Sequence, residues 1–323
     1  MRAFDKAKQL VDYYIPSMPR TYWVDITSIC NLRCIMCPQA KGLTKRQAKM
    51  PMETFTGIID DVYENHPQIK LYLSGEPLLH DNLFDMIEYA SAKGCQTEIH
   101  TNATLLTEEI SKKLLSSSLT FITFSFDGCS PEIYEQLRPP AKFEKVKSNI
   151  KQYLDLRRKG GDRGPHTTVE IIRMKDTSSQ IQEFVAEWKI SGVDNVNITE
   201  YMMWLDSVND RRIESFPNHG YRPCGEPFNH GCILSDGTVV PCCMDVNGKM
   251  PLGNITESSF REIWLGDEYR RLRTQMLTAS IPKGSICNGC YRTFCKSKTE
   301  RVVMSVPRFF AFIKTMLYRE LQR

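Results

Sequence analysis

Short runs of β-branched and aromatic residues recur along the first two hundred positions, and they predict β-strands. The predicted strands are Tyr22–Thr27, Ile69–Ser74, Cys95–Thr101, Phe121–Phe126, Thr167–Arg173 and Asn195–Glu200. Segments with helical apolar spacing lie between them, at Met52–Asn65, Leu83–Lys93, Glu108–Ser116, Phe143–Arg158 and Ser179–Ile190. Thr107 and Ser178 precede two of these helices and are predicted to cap them. This alternation favours an α/β fold with a parallel sheet, open or curled into a partial barrel, whose ligand sites gather at the carboxyl ends of the strands.

The alternation stops near residue 205, which predicts a second, smaller α+β unit rich in cysteine. Cys232–Cys242 has the pattern of a β-hairpin with Asp236 and Gly237 at the turn, and Phe260–Met276 has helical spacing. The tail Pro307–Arg323 is amphipathic, which favours core packing over binding to a membrane surface. We therefore expect four parts: a helical extension over 1–19, a barrel over 20–212, a cysteine-rich domain over 213–300 and an amphipathic helix over 301–323.

Composition adds constraints on partners and compartment. Hydrophobic residues make up 41% of the 323 positions and charged residues 25%, as in an ordinary globular protein. The net charge of +4 is small and its basic residues are dispersed, so we expect no nucleic-acid partner. We also expect no membrane span, because no apolar stretch reaches about 18 residues. The first residues are charged where a signal peptide would be apolar, which predicts a cytoplasmic protein.

Twelve cysteines are unusual for such a protein, and most of them fall into two groups. In a reducing compartment, clustered cysteines indicate metal ligands before disulfides. The first group is Cys30, Cys34 and Cys37, and the second is Cys224, Cys232, Cys242, Cys243, Cys287, Cys290 and Cys295. We therefore expect metal at two places.

The first group, Cys30-x3-Cys34-x2-Cys37, follows directly on the first predicted strand. Soft thiolates suit iron–sulfur clusters or zinc. A closed zinc site or an ordinary [4Fe–4S] cluster takes four protein ligands, whereas this motif offers three. One iron of a cluster would then stay open for a ligand that is not protein. The alternative is a zinc site completed by a distant residue.

The segment from Cys30 to Pro38 resembles the signature of the radical S-adenosylmethionine (SAM) superfamily, in which Met36 takes a position that often holds an aromatic residue. The resemblance implies a partial (β/α)6 TIM-like barrel and a [4Fe–4S] cluster on Cys30, Cys34 and Cys37 that binds SAM. It also implies SAM contacts at the ends of successive strands. The implied cofactor-binding residues are Met36, Ser74, Gly75, Glu76, Pro77, Asn102, Ser125, Asp127 and Arg138.

The second group has a matching explanation. Cys224, Cys242, Cys287 and Cys290, with gaps of 17, 44 and 2 residues, resemble the SPASM or shorter twitch extension of radical SAM enzymes. That resemblance implies an auxiliary [4Fe–4S] cluster, and a structural zinc site is the alternative. Three cysteines remain unassigned: they are spare ligands, buried small hydrophobic residues, or catalytic hydrogen-atom donors that would invert a stereocentre. They are Cys232, Cys243 and Cys295.

The resemblance implies reductive cleavage of SAM to a 5′-deoxyadenosyl radical, with an electron donor such as flavodoxin or ferredoxin. Asn247–Asn254 and the Cys224-to-Cys290 spacing also resemble 2-deoxy-scyllo-inosamine dehydrogenase-type enzymes. About 20 residues precede the first strand, too few for a peptide-recognition module, which favours a small substrate. We expect oxidation or epimerisation of a sugar or aminocyclitol carbon. The alternatives are modification of a ribosomal peptide or protein side chain, and a zinc-bound interaction module without catalysis.

Overall fold

The computed structural model describes residues 18–42, 48–202, 211–212 and 218–295. Its central feature is a run of parallel strands in chain order, each hydrogen-bonded to the next. The strands are β1 Thr21–Val24, β2 Gln68–Lys70, β3 Gln96–Thr101, β4 Phe121–Ser125, β5 His166–Arg173 and β6 Asn195–Glu200. The predicted α/β fold with a partial barrel is confirmed, because every predicted strand overlaps an observed one.

Helices follow the strands and bury one face each. They are α1 Met52–Val62, α2 Leu83–Ala92, α3 Glu108–Ser116, α4 Pro131–Leu137, α5 Phe143–Lys159 and α6 Ile181–Ile190. Thr107 caps α3 as predicted, because its side chain accepts a hydrogen bond from the Ile110 N–H. The predicted cap at Ser178 is wrong: this residue lies inside a short 3-10 helix, and its hydroxyl donates to the Lys175 carbonyl. The helix α4 was not predicted.

The C-terminal strands continue the same sheet. Beyond α7 (Glu226–Asn229), β7 (His230–Ile233) pairs in parallel with β1, and β8 (Thr238–Val239) and β9 (Gly253–Asn254) follow antiparallel. The predicted hairpin turn is confirmed at Gly237, whose φ of 82° is readily adopted only by glycine. The sheet thus joins the two predicted domains, whose boundaries at 212 and 213 remain predictions.

The predicted helix Phe260–Met276 is two helices, α8 (Phe260–Leu265) and α9 (Asp267–Thr278). The chain is extended at Gly266, between them. Phe260 packs edge-on against Tyr22 of β1 with ring centroids 5.1 Å apart, so this pair sits on the same core as the barrel. A Cβ on Gly231 would lie 2.4 Å from the Tyr22 ring, and this small residue therefore lets β7 approach β1.

Two predicted parts lie outside the described residues: positions 1–17 of the helical extension and the tail helix over 301–323. Across the described ranges, no helix combines the length and apolar character needed to cross a bilayer.

Candidate active site

The cysteine loop after β1 is fixed to two neighbouring parts of the barrel. Its backbone N–H groups at Arg33 and Ile35 donate to the carbonyls of Pro139 and Leu137, at 2.7 and 2.9 Å. The buried Gln39 amide donates to the carbonyls of Ser28 and Ser74, at 2.6 and 2.8 Å. The loop is therefore held against the end of α4 and the segment that follows β2.

A cavity of about 280 Å³ opens beside this loop, at the carboxyl ends of the parallel strands. This is where the fold predicts a ligand site. Its wall brings together most of the predicted residues: Cys30, Cys34, Met36, Cys37, Ser74, Gly75, Glu76, Asn102, Ser125 and Arg138. Tyr201 and Met202, which follow β6, also line it.

The three thiols suit an iron–sulfur cluster. Burial raises the pKa of Cys34 to about 11 and that of Cys37 to about 12, so both are protonated until a metal takes up their thiolates. Nη1 of Arg138 lies 3.9 Å from the Cys34 sulfur, and Nδ2 of Asn102 lies 4.0 Å from the Cys30 sulfur. A cationic and a neutral donor therefore face the sulfurs, as is favourable for an anionic cluster.

Glu76 joins the ends of two strands at the cavity wall. One carboxylate oxygen accepts from the Thr101 hydroxyl at 2.6 Å and the Leu78 N–H at 3.2 Å, and the other accepts from the Asn102 N–H at 2.8 Å. Burial raises the pKa of this carboxyl, although these hydrogen bonds oppose the shift. Its neighbour Gly75 packs so closely that a Cβ would lie 2.1 Å from the Thr27 carbonyl oxygen.

Asp127 and Pro77 are not among the residues that line the cavity, and their contacts with SAM stay predictions. Asp127 lies behind Arg138, whose Nε and Nη2 donate to its Oδ2 at 2.8 and 2.5 Å. Its Oδ1 accepts from the Ile172 N–H at 2.6 Å. Asp127 thus orients the arginine, and Pro77 is buried at the start of a 3-10 helix.

The predicted hydrogen-atom donors are also placed elsewhere. Of the described residues that form the cavity wall, none is Cys232, Cys243 or Cys295. Cys232 is buried in an apolar cluster with Leu234 and Val240. The Cys295 thiol donates to the Tyr221 carbonyl at 3.4 Å. The role of these three cysteines as hydrogen-atom donors stays a prediction.

The second group of cysteines meets at a smaller cavity, which Cys224, Cys242, Cys287 and Cys290 line together with Arg292. Burial raises the pKa of Cys224 to about 11 and that of Cys287 to about 12. In the described ranges, no three His, Cys, Asp or Glu side chains converge as ligands of a single ion would. The four thiols line one shared cavity.

Sequence reasoning missed a polar network inside the barrel. Glu98 accepts hydrogen bonds from Gln68 at 2.7 Å and Tyr72 at 3.1 Å, and its carboxylate lies 3.1 Å from the Lys70 ammonium. The His100 Nε2 lies 2.7 Å from the same carboxylate. The sequence pattern could have indicated this network, because polar residues occupy alternate positions of β3 and of the segment that contains β2. Side chains at alternate positions of a strand share one face of the sheet.

A second ion-paired group lies beneath the auxiliary cysteines. Arg292 pairs with Glu226, and Nδ1 of His230 lies 3.0 Å from the other oxygen of that carboxylate. The His230 ring packs edge-on against Trp23 at 5.0 Å, and the Lys70 ammonium lies 5.2 Å from the Trp23 ring centroid. Charged and aromatic side chains therefore connect the walls of the two cavities.

A loop of three thiolates at the carboxyl end of a partial barrel, with a separate four-thiolate site, defines an iron–sulfur protein with one open cluster. Residues 24–187 match the radical SAM superfamily, and residues 224–291 match the SPASM iron–sulfur cluster-binding domain. The chain belongs to the radical SAM superfamily and carries a C-terminal SPASM domain. It is a radical SAM enzyme with a SAM-binding [4Fe–4S] cluster and an auxiliary [4Fe–4S] cluster, which replaces the zinc alternatives.

Two relatives illustrate the range of known activities. The chain is 26% identical to a tungsten-containing aldehyde ferredoxin oxidoreductase cofactor-modifying protein of Pyrococcus furiosus, covering 78% of this chain and 82% of that one. It is 26% identical to an AdoMet-dependent heme synthase of Methanosarcina barkeri, covering 79% of this chain and 85% of that one.

Two solved structures share the fold. Streptococcus suis SuiB bound to precursor peptide SuiA aligns with a TM-score of 0.69 at 16% identity, covering 90% of this chain and 74% of that one. BtrN in complex with AdoMet and 2-DOIA aligns with a TM-score of 0.53 at 20% identity, covering 80% of this chain and 87% of that one.

Proposed function

We propose that the enzyme oxidises an alcohol carbon of a small polar substrate, a sugar or an aminocyclitol. The supporting observation is the cavity wall away from the cysteine loop, which carries His100, Glu170, Thr199 and Glu200. Imidazole, carboxylate and hydroxyl groups form hydrogen bonds with the hydroxyl and amino groups of such a substrate. Oxidation is favoured over epimerisation because the three candidate thiols lie off the cavity wall.

The SAM site follows from the same wall. We assign Cys30, Cys34 and Cys37 as ligands of the first cluster, with Glu76 and Arg138 toward the amino and carboxylate groups of SAM. When bound, the cluster and SAM supply a 5′-deoxyadenosyl radical that removes a hydrogen atom from the substrate. The chain's own task is to orient both molecules and exclude water. Gln39 and Asp127 support this indirectly, because they fix the loop and the arginine.

We assign Cys224, Cys242, Cys287 and Cys290 as the four ligands of the auxiliary cluster. A cluster with four protein ligands has no open iron, so it does not chelate substrate, and electron transfer is the role that remains. Flavodoxin or ferredoxin is the proposed source of the electron that starts each turnover.

Anaerobic turnover of the reconstituted enzyme tests the proposal. With dithionite, SAM and 2-deoxy-scyllo-inosamine deuterated at its carbinol carbons, we expect deuterium in 5′-deoxyadenosine and a ketone product by mass spectrometry. Cys34→Ala should abolish 5′-deoxyadenosine formation. Cys224→Ala should reduce the iron content from about eight to about four atoms per chain and stop ketone formation. If 5′-deoxyadenosine forms but carries no deuterium with any labelled polyol, the proposed substrate class is contradicted.

Peptide modification is the second candidate, because SuiB, which shares the fold, is described in complex with its precursor peptide. Under this alternative, deuterium would reach 5′-deoxyadenosine from a labelled peptide and not from a labelled polyol.

A further inference from the structure

The cavity wall includes His100, whose imidazole pairs with the carboxylate of Glu98. We propose that His100 is the catalytic base that removes the substrate hydroxyl proton during oxidation, with Glu98 and Tyr72 as its positioning residues. This inference rests on the proposed alcohol oxidation and names a residue that carries it out.

The geometry of His100 and its neighbours suits a base at the cavity wall. His100 lines the cavity and its side chain is 23% exposed, whereas that of Glu98 is only 9% exposed. The His100 Nε2 lies 2.7 Å from the Glu98 carboxylate. The Tyr72 ring stacks on the imidazole with centroids 3.9 Å apart and planes 15° apart. With Nε2 held by the carboxylate and the ring held flat, Nδ1 is the nitrogen available to a substrate hydroxyl.

The electrostatics of the pair favour the same role. Burial opposes ionisation of Glu98, but the hydrogen bond with His100 and the positive charge of Lys70 hold the pKa of this carboxyl well below its usual range. Glu98 therefore stays anionic and stabilises the imidazolium that forms when His100 accepts a proton, as the carboxylate does in hydrolase triads. Lys70 and Tyr72 are ionisable groups beside the pair, and Glu170 and Glu200 line the same cavity.

The balance of the proposed reaction also requires a base. Oxidation of a secondary alcohol, R2CH–OH, to a ketone removes one hydrogen atom, one electron and one proton. The C–H hydrogen atom goes to the 5′-deoxyadenosyl group, and the electron goes to a one-electron acceptor of the iron–sulfur class. The O–H bond breaks as the C=O bond forms, and that proton needs a base on the cavity wall. His100 is the imidazole among the described wall residues.

The test uses the reconstituted holoenzyme with deuterated 2-deoxy-scyllo-inosamine as the probe. His100→Gln keeps a donor toward Glu98 but cannot accept the proton, and His166→Gln, an exposed histidine at the start of β5, is the matched control. For His100→Gln we expect ketone formation to fall about 100-fold, as is typical for loss of a general base. Deuterium transfer and substrate affinity by calorimetry should persist, and an organic radical should accumulate in EPR spectra. His166→Gln should match the natural protein.

A further measurement separates a base from a structural residue. Added imidazole should restore ketone formation to His100→Ala, because the free base can take the place of the missing side chain. If His100→Gln does not fold, the test is whether added imidazole restores ketone formation in His100→Ala. Deuterium transfer with unchanged ketone formation in both variants would overturn this inference alone. Absence of deuterium transfer in the natural protein would overturn the proposed function and this inference together.

Discussion

The buried ion pair of Asp127 and Arg138 supports the most demanding prediction. Asp127 is fully buried and Arg138 is 7% exposed, and two guanidinium nitrogens share one carboxylate oxygen. Asp127→Asn keeps the side-chain size but removes the charge, and its amide group would face the arginine donors. Removing one partner of a buried pair leaves the other charge uncompensated, which costs about 3–5 kcal/mol. We expect a loss of that size in the free energy of unfolding.

Equilibrium urea unfolding of the full chain under anaerobic conditions, followed by circular dichroism, measures this loss. Asp155→Asn is the matched control, because Asp155 pairs with Arg158 at the surface with both side chains about 60% exposed. Such a pair contributes less than about 1 kcal/mol. A loss for Asp127→Asn no larger than that for Asp155→Asn would refute the reasoning.

A double variant separates stability from function. Replacing both partners, with Asp127→Leu and Arg138→Met, removes the charges together and should restore part of the stability, since an apolar pair avoids the cost of burying ions. The restoration is incomplete because the Ile172 N–H loses its acceptor on Asp127. It should not restore SAM binding, measured by equilibrium dialysis, because Arg138 lies at the cavity wall 3.9 Å from the Cys34 sulfur. Recovery of SAM binding would show that the arginine acts only structurally.

Three further predictions concern other sites. Gly75→Ala should lower the free energy of unfolding by more than about 3 kcal/mol and prevent loading of the first cluster, because its Cβ would meet two backbone carbonyls. Gly57→Ala, on the open face of α1, should raise the free energy of unfolding by about 1 kcal/mol. The pKa of Glu98 is lowered to about 2, so ionised Glu98 adds about 3 kcal/mol to the free energy of unfolding above pH 4.5, and this contribution is lost as pH falls toward 2. Arg292→Gln should lower the auxiliary cluster's reduction potential by about 40 mV, equivalent to about 1 kcal/mol, in an EPR titration.

Each of these has a clear contrary result. Equal stability of the Gly75 and Gly57 variants in urea would contradict the packing argument. A stability difference between the natural protein and Glu98→Gln that stays constant from pH 6 to pH 2.5 would contradict the pH argument. An unchanged midpoint potential in Arg292→Gln would show that its charge is fully compensated by Glu226.

The sequence by itself determined the local features of this protein. Strand and helix periodicity depends on neighbouring residues, so the six parallel strands and most helices were predictable. The Cys30-x3-Cys34-x2-Cys37 motif is also local, because three thiols within eight residues of one loop reach the same cavity in this fold. One boundary differed from the prediction: the backbone is extended at Gly266, which divides one predicted helix into two.

Only the tertiary structure decided which distant residues meet. Sheet register places Lys70 opposite Glu98, and β7 lies beside β1 although about two hundred residues separate them. These pairings depend on long-range packing, which no window of sequence contains. The same packing turned Asp127 toward Arg138, placed Cys232, Cys243 and Cys295 off the cavity wall, and brought His100 onto it.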